Sequence, residues 1–441
     1  MARSAPAASG DAGSFRYLDD PAAADALLGD VAATRDLALD TEAASFHRFT
    51  DRVYLLQLTA RLPGTTAAGP LEPREVSAVV DPLSAGPLPA LGRLVEDPAV
   101  ETVFHDADYD LRLLRQDYGW QVRGLFDTRV AAQLLGERAF GLAALLDKEF
   151  GVKLDKRHQR ADWSMRPLTP DMLDYAAQDT IWLLQLRDRF KARLAALGRL
   201  AWAEEEFQRL EGVQWAPGDD ADAYLRTKGA RDLTRRELAL LRELVGWRDG
   251  VARELDRATF RVAANDVLLE VARLAPRTRE ALGAIKGVPR GSLDGRVGEM
   301  LDAVERGLAV PEAALPRFPR APRWDRDPDF DERVNRLRTV RDAVAAELDL
   351  DPGVLCARDR LEAVARRNPR APDELAEVSE LRRWQVEVLG EAMLRALRGS
   401  KPTASAGVGT LTASASTASA PVVGTPVATR TDPDRSPYRD A

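Results

Sequence analysis

Three short runs of apolar residues lie close together near the start of the chain. They read DLALDTEA (36–43), RVYLLQLTA (52–60) and EVSAVVDPL (75–83), and turn-forming residues bound each of them. Short β-rich runs of this kind predict the strands of one sheet. The next stretch, ETVFHDADYDLRLLRQDYGW, predicts a short strand and then a helix that begins near Asp106 or Asp108.

Helical spacing of apolar residues follows over 128–135 and 142–150. After a polar loop over 153–170, another helix is predicted where Thr169 offers an N-cap side chain and Pro170 fits the first helical position. Strands that come first and then alternate with helices are typical of an α/β domain.

Beyond a stretch of turn-forming residues at 215–220, nearly every segment has helical spacing. One pattern occurs twice there at an offset of 93 residues, with RD, ELD, VAR and a proline repeated in the same register. Such matches predict a duplicated helical module. The predicted organisation is an α/β domain at 15–213, helical bundles at 222–309 and 330–398, a proline-rich linker at 310–329, and disordered ends at 1–14 and 400–441.

The chain has 441 residues, more than one ordinary core accommodates. Its N-terminus lacks the apolar run of a secretory signal, and no stretch of about 18 apolar residues is present to span a membrane. The single cysteine, Cys356, has no partner for an internal disulfide. These features predict a cytoplasmic protein without a membrane partner, and no obligatory protein partner is evident.

Charge is unevenly distributed along the chain, although the net charge of −7 argues against a nucleic-acid partner for the whole. Residues 226–296 contain 16 Lys and Arg against 10 Asp and Glu, whereas 331–398 contain 13 against 14. The first helical bundle is therefore the basic one. Arg greatly outnumbers Lys, which suits bidentate phosphate contacts, but a coding bias explains that excess at least as well.

Four acids and one tyrosine of the α/β domain are the candidate catalytic residues. Asp40 and Glu42 are two apart on a strand, so their side chains share one face while the threonine between them points away. Tyr175 and Asp179 are one helical turn apart, and Asp110 lies on the helix after the fourth strand. Taken singly, each acid is better explained as a surface charge or cap, and the tyrosine as a core aromatic.

Taken together, converging carboxylates are costly unless a cation neutralises them. Acids on one strand and two helices would enclose two divalent cations about 3.5–4 Å apart, the arrangement that supports in-line phosphoryl displacement. Tyr175 would then orient the attacking water, one turn from Asp179.

The order and spacing of these residues resemble a known family. D-x-E at 40–42, H-x-x-x-x-D at 105–110 and Y-x-x-x-D at 175–179 resemble the three motifs of DEDD-superfamily exonucleases of the tyrosine subtype. The stretches LDK (154–156) and RADWSMRPLT (160–169) are similar to those of ribonuclease D. The two helical modules are similar to helicase-and-RNase-D C-terminal (HRDC) domains.

The resemblance implies a ribonuclease H-like α/β exonuclease domain followed by two all-α HRDC-like bundles. It also implies 3′→5′ hydrolysis of RNA to nucleoside 5′-monophosphates with two Mg²⁺ or Mn²⁺ ions, in the maturation of tRNA precursors and other structured RNA. Asp40, Glu42, Asp110 and Asp179 would be the metal ligands, with Asp40 as the bridge, and Tyr175 would position the water. One departure is the stretch AASFH after the D-x-E motif, where the family often has an aromatic residue, and this puts contacts with the terminal base in question.

Further residues are candidates for contacts with RNA, and all of them are basic. They are His47, Arg157, Arg160, Arg166, Arg226, Lys228 and Arg231. The arginines and the lysine lie in a loop ahead of the last motif and along one edge of the first bundle, and these places suit backbone phosphates. For the loop, a solvated charged segment is the alternative. His47 is a candidate for contact with a phosphate or the terminal nucleotide, with a loop residue that has no role as the alternative. His105 and Trp163 are expected to be structural, the tryptophan as the anchor of its loop.

Two other functions are compatible with parts of this pattern. A DNA exonuclease would use the same acids, because no residue can be shown from the sequence to read a 2′-hydroxyl. An inactive RNA-binding protein would keep the helical bundles, but the presence of all four acids and the tyrosine argues against it.

Overall fold

The computed structural model describes residues 14–62, 65–66, 69–70, 74–155, 157–215, 220–288, 295–319 and 327–399. The two ends predicted to be disordered lie outside these ranges, except for Ser14. Part of the predicted proline-rich linker also lies outside the described residues.

Six of the eight strands in the described residues form one mixed sheet in the α/β domain. The strands in chain order are β1 (Phe15–Leu18), β2 (Asp36–Glu42), β3 (Leu55–Leu62), β4 (Thr65–Thr66), β5 (Gly69–Pro70), β6 (Arg74–Val80), β7 (Glu101–Phe104) and β8 (Leu125–Asp127). The sheet order is β1-β6-β3-β2-β7-β8, while β4 and β5 pair with each other. In the six-stranded sheet, β3 is antiparallel to both of its neighbours, and the other pairs of that sheet are parallel. Strands β1 and β8 were not predicted, since runs of four and three residues carry little periodicity.

Helices cover both faces of this sheet. They are α1 (Pro21–Asp30), α2 (Pro82–Ala85), α3 (Pro89–Glu96), α4 (Asp108–Tyr118), α5 (Thr128–Leu134), α6 (Leu142–Phe150), α7 (Pro170–Ile181), α8 (Leu183–Ala196) and α9 (Leu200–Glu211). Helix α7 packs on β2, β3 and β6, and the Thr59 hydroxyl of β3 donates to the Thr180 hydroxyl of α7 at 3.1 Å. We call this side the α7 face. On the opposite face, Leu37 and Leu39 pack in one core with Leu27 of α1.

Two helical bundles with the same element order follow. The first contains α10 (Arg235–Leu255), α11 (Thr259–Val262), α12 (Asn265–Leu274), α13 (Arg279–Gly283) and α14 (Val297–Ala309), and the second contains α15 (Phe330–Glu347), α16 (Pro352–Leu355), α17 (Arg358–Arg367), α18 (Pro372–Ala376) and α19 (Arg383–Leu397). Left-handed backbone recurs at the equivalent positions Asp256 and Asp349, and again at Ala275 and Asn368. An α/β domain followed by two helical bundles is the predicted fold class, which is confirmed. Within the described ranges, no helix has the length and hydropathy to cross a bilayer.

The bundles attach to the α/β domain in different ways. Trp384 of the second bundle stacks on Trp202 of α9, with ring centroids 4.9 Å apart. Leu337 and Met393 of that bundle belong to the same buried cluster as Leu37 of the sheet. The first bundle has a buried cluster of its own, against which the partly buried Phe49 of the α/β domain packs.

The same corner of each bundle contributes to the attachment. The Asp256 carboxylate accepts hydrogen bonds from the backbone N–H groups of Phe49 and Thr50 at 3.2 and 3.3 Å. Its counterpart Asp349 accepts a hydrogen bond from Arg138 at 2.6 Å. The first bundle therefore borders the loop that follows β2, the strand of the D-x-E motif.

Candidate active site and metal centre

Asp40 and Glu42 lie on the part of β2 that extends past the end of its pairing with β7. Strand β2 pairs with β7 only from Asp36 to Ala38, so among the described strands only β3 accompanies its end. In the β2–β3 register, Asp40 lies opposite Gln57. Alternation along the strand then places both Asp40 and Glu42 on the α7 face.

Helix α7 supplies a third carboxylate. The Thr169 side chain caps its N-terminus and Pro170 occupies the first helical turn, as the sequence predicts. The helix brings Asp179 over the end of β2. Side-chain oxygens of Asp40, Glu42 and Asp179 lie within 4.8 Å of one another.

Asp110 reaches the same strand from its edge. It lies in the first turn of α4 and is 6% exposed. Its Oδ1 accepts a 3.1 Å hydrogen bond from the backbone N–H of Thr41, and the Thr41 hydroxyl donates to the same oxygen. Because β7 has ended, this N–H has no ladder partner on that side, and the carboxylate satisfies it. This role of Thr41 could not be predicted from the sequence, because its contact with α4 depends on where the neighbouring strand β7 ends.

Burial raises the pKa of all four carboxyl groups. The pKa values of Asp40 and Glu42 lie well above their usual range, because of burial and then of repulsion by neighbouring acids. Burial also raises the pKa values of Asp110 and Asp179 to about 7 each. Among the largest causes of these pKa shifts, the charges belong to neighbouring acids.

Half-buried carboxylates whose main charged neighbours are other acids form the oxygen-rich, anionic ligand set that a hard divalent cation requires. A structural ion-pair cluster would contain its own positive charge instead. The residues present therefore fit a divalent cation at the end of β2.

Tyr175 stands beside the acids on α7. Its ring packs against Trp163 and His158, with ring centroids 6.0 and 5.8 Å away. Burial, and then the charges of Asp179 and Glu42, raise the pKa of its hydroxyl far above the usual value. The hydroxyl thus stays protonated and able to donate a hydrogen bond. Trp163 is 1% exposed, in keeping with its predicted place as the anchor of the loop.

Arg166 uses its whole guanidinium group for hydrogen bonds within the protein, and its contact with RNA stays a prediction. Its Nε and Nη2 donate to the Asp81 carboxylate at 2.6 and 2.8 Å. Its remaining N–H groups donate to backbone oxygens of Tyr54, Trp163 and Met165. All five donors of the guanidinium are used within the protein. A basic loop residue looks the same in the sequence whether its partner is a phosphate or a distant carboxylate.

His47 is also engaged within the protein. Its Nε2 lies 3.0 Å from the carbonyl oxygen of Arg160, and its Nδ1 lies 3.2 Å from Nη2 of Arg261 in the first bundle. The Arg160 guanidinium lies 5.2 Å from the ring centroid of Phe46. His47 thus joins two loops of the α/β domain to the first bundle, and its contact with a phosphate or the terminal nucleotide stays a prediction.

The other predicted contact residues are exposed. Arg157 pairs with Asp155 at 2.5 Å in the loop before α7. The guanidinium of Arg231 lies 4.8 Å from the ring centroid of Phe318. Arg226 and Lys228 are exposed at the start of the first bundle. Contact of these residues and of Arg160 with RNA stays a prediction.

His105 has a structural place, as the sequence predicts. Its Nδ1 lies 2.9 Å from the Thr128 hydroxyl. Burial, and then the charge of Arg129, lower its pKa to about 3, so the ring is neutral at physiological pH. It fixes the start of α5 beside the strand that precedes α4.

Known proteins share both parts of this architecture. A family model described as a 3′-5′ exonuclease matches residues 15–195, and an HRDC domain model matches 237–304 and 330–397. The chain is 31% identical to a ribonuclease D of Acidiphilium cryptum over 336 residues, which are 74% of this chain and 81% of the relative. It is 32% identical to a ribonuclease D of Granulibacter bethesdensis over 325 residues, which are 73% and 80% of the two chains.

A solved structure extends the likeness to three dimensions. The crystal structure of Escherichia coli RNase D, described as an exoribonuclease involved in structured RNA processing, matches with a TM-score of 0.65 and 26% identity. The match covers 88% of this chain and 99% of that one. These findings confirm the predicted family and do not favour a DNA exonuclease or an inactive RNA-binding protein. The chain belongs to the ribonuclease D family and is a 3′–5′ exoribonuclease.

Proposed function

We propose that the enzyme uses two divalent cations, Mg²⁺ or Mn²⁺, to release nucleoside 5′-monophosphates from the 3′ ends of structured RNA such as tRNA precursors. Asp40, Glu42, Asp110 and Asp179 would hold the cations. The observation that carries this proposal is the convergence of carboxylate oxygens of Asp40, Glu42 and Asp179 within 4.8 Å of one another, where the largest charge effects among the described residues come from other acids. A cytoplasmic location belongs to the proposal, because tRNA precursors are its proposed substrate.

Cations bound there would supply Lewis acidity and lower the pKa of a water molecule. The protonated Tyr175 hydroxyl orients that water toward the phosphorus of the last phosphodiester. A bond forms between the water oxygen and phosphorus, and the bond from phosphorus to the O3′ of the preceding nucleotide breaks. The last nucleotide leaves with a 5′-phosphate, and the proton that the attacking water loses is balanced by the one that the new 3′-hydroxyl of the shortened RNA takes up.

Exposed basic residues would hold the RNA on the way to the site. Arg157 belongs to the loop whose Trp163 packs on Tyr175, so it would contact phosphates near the 3′ end. Arg226, Lys228 and Arg231 belong to the bundle with excess positive charge, and they would contact the backbone of the folded part. Phosphate contacts of this kind place an RNA without reading its sequence.

Parallel digestion of matched substrates tests the proposal. The substrates are a tRNA with a 3′ extension, a single-stranded RNA of the same 3′ sequence, and the corresponding DNA, each with Mg²⁺ or with EDTA. We expect 5′-monophosphates from both RNAs with Mg²⁺, no release with EDTA, and at least tenfold slower release from DNA. Asp40→Asn is the matched inactive control. Release in EDTA, 3′-phosphate products or preference for DNA would contradict the proposal.

A further inference from the structure

Gln57 is a polar side chain in the middle of the sheet with 0% exposure. Within the described residues, neither its Nε2 nor its Oε1 has a hydrogen-bond partner. A buried amide without partners destabilises a fold, and an apolar residue of similar size would not. The neighbours Leu56 and Leu58 are apolar and buried. An apolar residue would therefore be expected at position 57 as well.

The strand register places Gln57 next to the acids. It lies directly opposite Asp40 in the β2–β3 ladder. Directly opposed residues share a face, with Cβ atoms about 4.5–5.5 Å apart. Thr59, two residues along the same face, bonds Thr180 of α7, so Gln57 lies beneath the helix that carries Asp179. Its carboxamide therefore lies among the elements that bring the carboxylates together.

Another buried polar side chain shows that lack of a partner alone does not mark the site. The hydroxyl of Thr102 on β7 is also buried and without a partner among the described residues. Thr102 pairs with Leu37, which places it on the opposite face of the sheet, away from the acids. It differs from Gln57 in location and in offering one polar atom where Gln57 offers two.

A carboxamide has the chemistry that supports a metal-ligating carboxylate. Its NH₂ group donates to a carboxylate oxygen, while its carbonyl oxygen accepts a hydrogen bond from water. Metal-ligating carboxylates are commonly held by such hydrogen bonds, which fix the direction of their oxygens. Asp110 has Thr41 for this purpose, and Asp40 has Gln57 as its cross-strand neighbour.

We propose that Gln57 is a positioning residue, whose carboxamide turns to the Asp40 carboxylate when divalent cations bind and holds it in that orientation. The inference rests on the proposed function, since it assigns Gln57 a task at that metal site. It explains why a buried strand position keeps a polar side chain at a cost in stability of the metal-free protein.

Two measurements on four full-length proteins test this inference. The proteins are the wild type, Gln57→Met, Thr102→Val and Asp40→Asn, where methionine matches the length of glutamine without its polar atoms. Calorimetric titration with Mn²⁺ at pH 8 gives the affinity for metal, and thermal unfolding in EDTA gives the stability without metal.

For Gln57→Met we expect Mn²⁺ affinity to fall about 10–100-fold, while the Tm in EDTA rises by about 2 °C or more. Thr102→Val should also gain stability, and its Mn²⁺ affinity should equal that of the wild type. Opposite changes in affinity and stability separate a positioning role from a structural one.

The remaining outcomes are decisive as well. If Gln57→Met binds Mn²⁺ as the wild type does, while Asp40→Asn does not, the inference about Gln57 is wrong and the metal site stands. A Tm in EDTA below that of the wild type would also overturn it, since Gln57 would then have partners that the fold requires. If Asp40→Asn binds Mn²⁺ as tightly as the wild type, the proposed metal site itself is wrong.

Discussion

The two ends of β2 carry acids on the same face of the same sheet, and they differ in what neutralises those acids. At the beginning of the strand, Asp36 accepts a 2.8 Å hydrogen bond from Arg187, which also pairs with Glu101. Lys191 lies 2.6 Å from the other oxygen of Glu101, and Arg61 pairs with Glu75. This end has its own positive charge and needs no ion from solution.

At the other end, the charges that raise the pKa values of Asp40 and Glu42 most belong to neighbouring acids. A desolvated carboxylate needs a counter-charge, so cations from solution have to supply it. The comparison shows that a cluster of acids does not by itself indicate a metal site. The number of basic side chains around the acids separates a structural network from a site that binds cations.

Exchange of a single carboxylate should abolish most of the activity at one end of β2 and leave it nearly unchanged at the other. Asp179→Asn removes a carboxylate for which the chain has no substitute, and we expect release of nucleotides from RNA to slow by at least about 100-fold. Asp36→Asn changes an acid in the neutralised network, and its rate should stay within about threefold of the wild type. Initial rates at saturating Mg²⁺ measure both. Equal losses in the two variants would remove the distinction between the ends.

Loss of the Arg187 guanidinium should lower the stability of the fold and leave the catalytic activity of the folded enzyme unchanged. Arg187 is 4% exposed, and Arg187→Met leaves Asp36 and Glu101 without their main partner. Breaking a buried pair in this way costs about 3–5 kcal/mol of unfolding free energy. Urea denaturation measures the loss, and activity per folded molecule at low temperature should be unchanged. An unchanged free energy of unfolding would show that the network contributes nothing to stability.

The pH dependence of stability should come from the acidic end. Because burial raises the pKa values of Asp110 and Asp179 from 3.8 to about 7, the folded state binds more protons than the unfolded state between these values. Their contribution to the stability of the metal-free protein therefore falls as the pH rises toward 7 and then levels off. Thermal unfolding in EDTA at pH 5.5 and 7.5 measures this, with a drop in Tm of a few degrees expected.

Two controls sharpen that measurement. Asp36→Asn should keep the drop in Tm, and Asp110→Asn should reduce it. With saturating Mg²⁺ the trend should reverse, because protons compete with the cation for the same oxygens. A Tm in EDTA that rises between pH 5.5 and 7.5 would show that these carboxyl groups are not held protonated by burial.

Local periodicity explains why part of the site could be predicted from the sequence. The shared face of Asp40 and Glu42 follows from the two-residue repeat of a strand, and the stacking of Tyr175 over Asp179 follows from the helical turn. The duplicated bundle was also predicted, because the same residues recur at an offset of 93 along the sequence.

The partners of single side chains could not be predicted in this way. Arg166 bonds Asp81 across 85 residues, and Arg187 bonds Asp36 across 151. Nothing local tells such an arginine from one that contacts phosphate. Gln57 became informative only when the strand register placed it opposite Asp40.

Crystals of the wild-type enzyme soaked in Mn²⁺ at pH 8 provide the most direct test of the metal site. We expect two anomalous difference peaks about 3.5–4 Å apart, both in contact with the Asp40 carboxylate, and no peak near Asp36. Absence of Mn²⁺ at Asp40, Glu42 and Asp179 at saturating concentration, or a peak at the Asp36 end instead, would contradict the assignment.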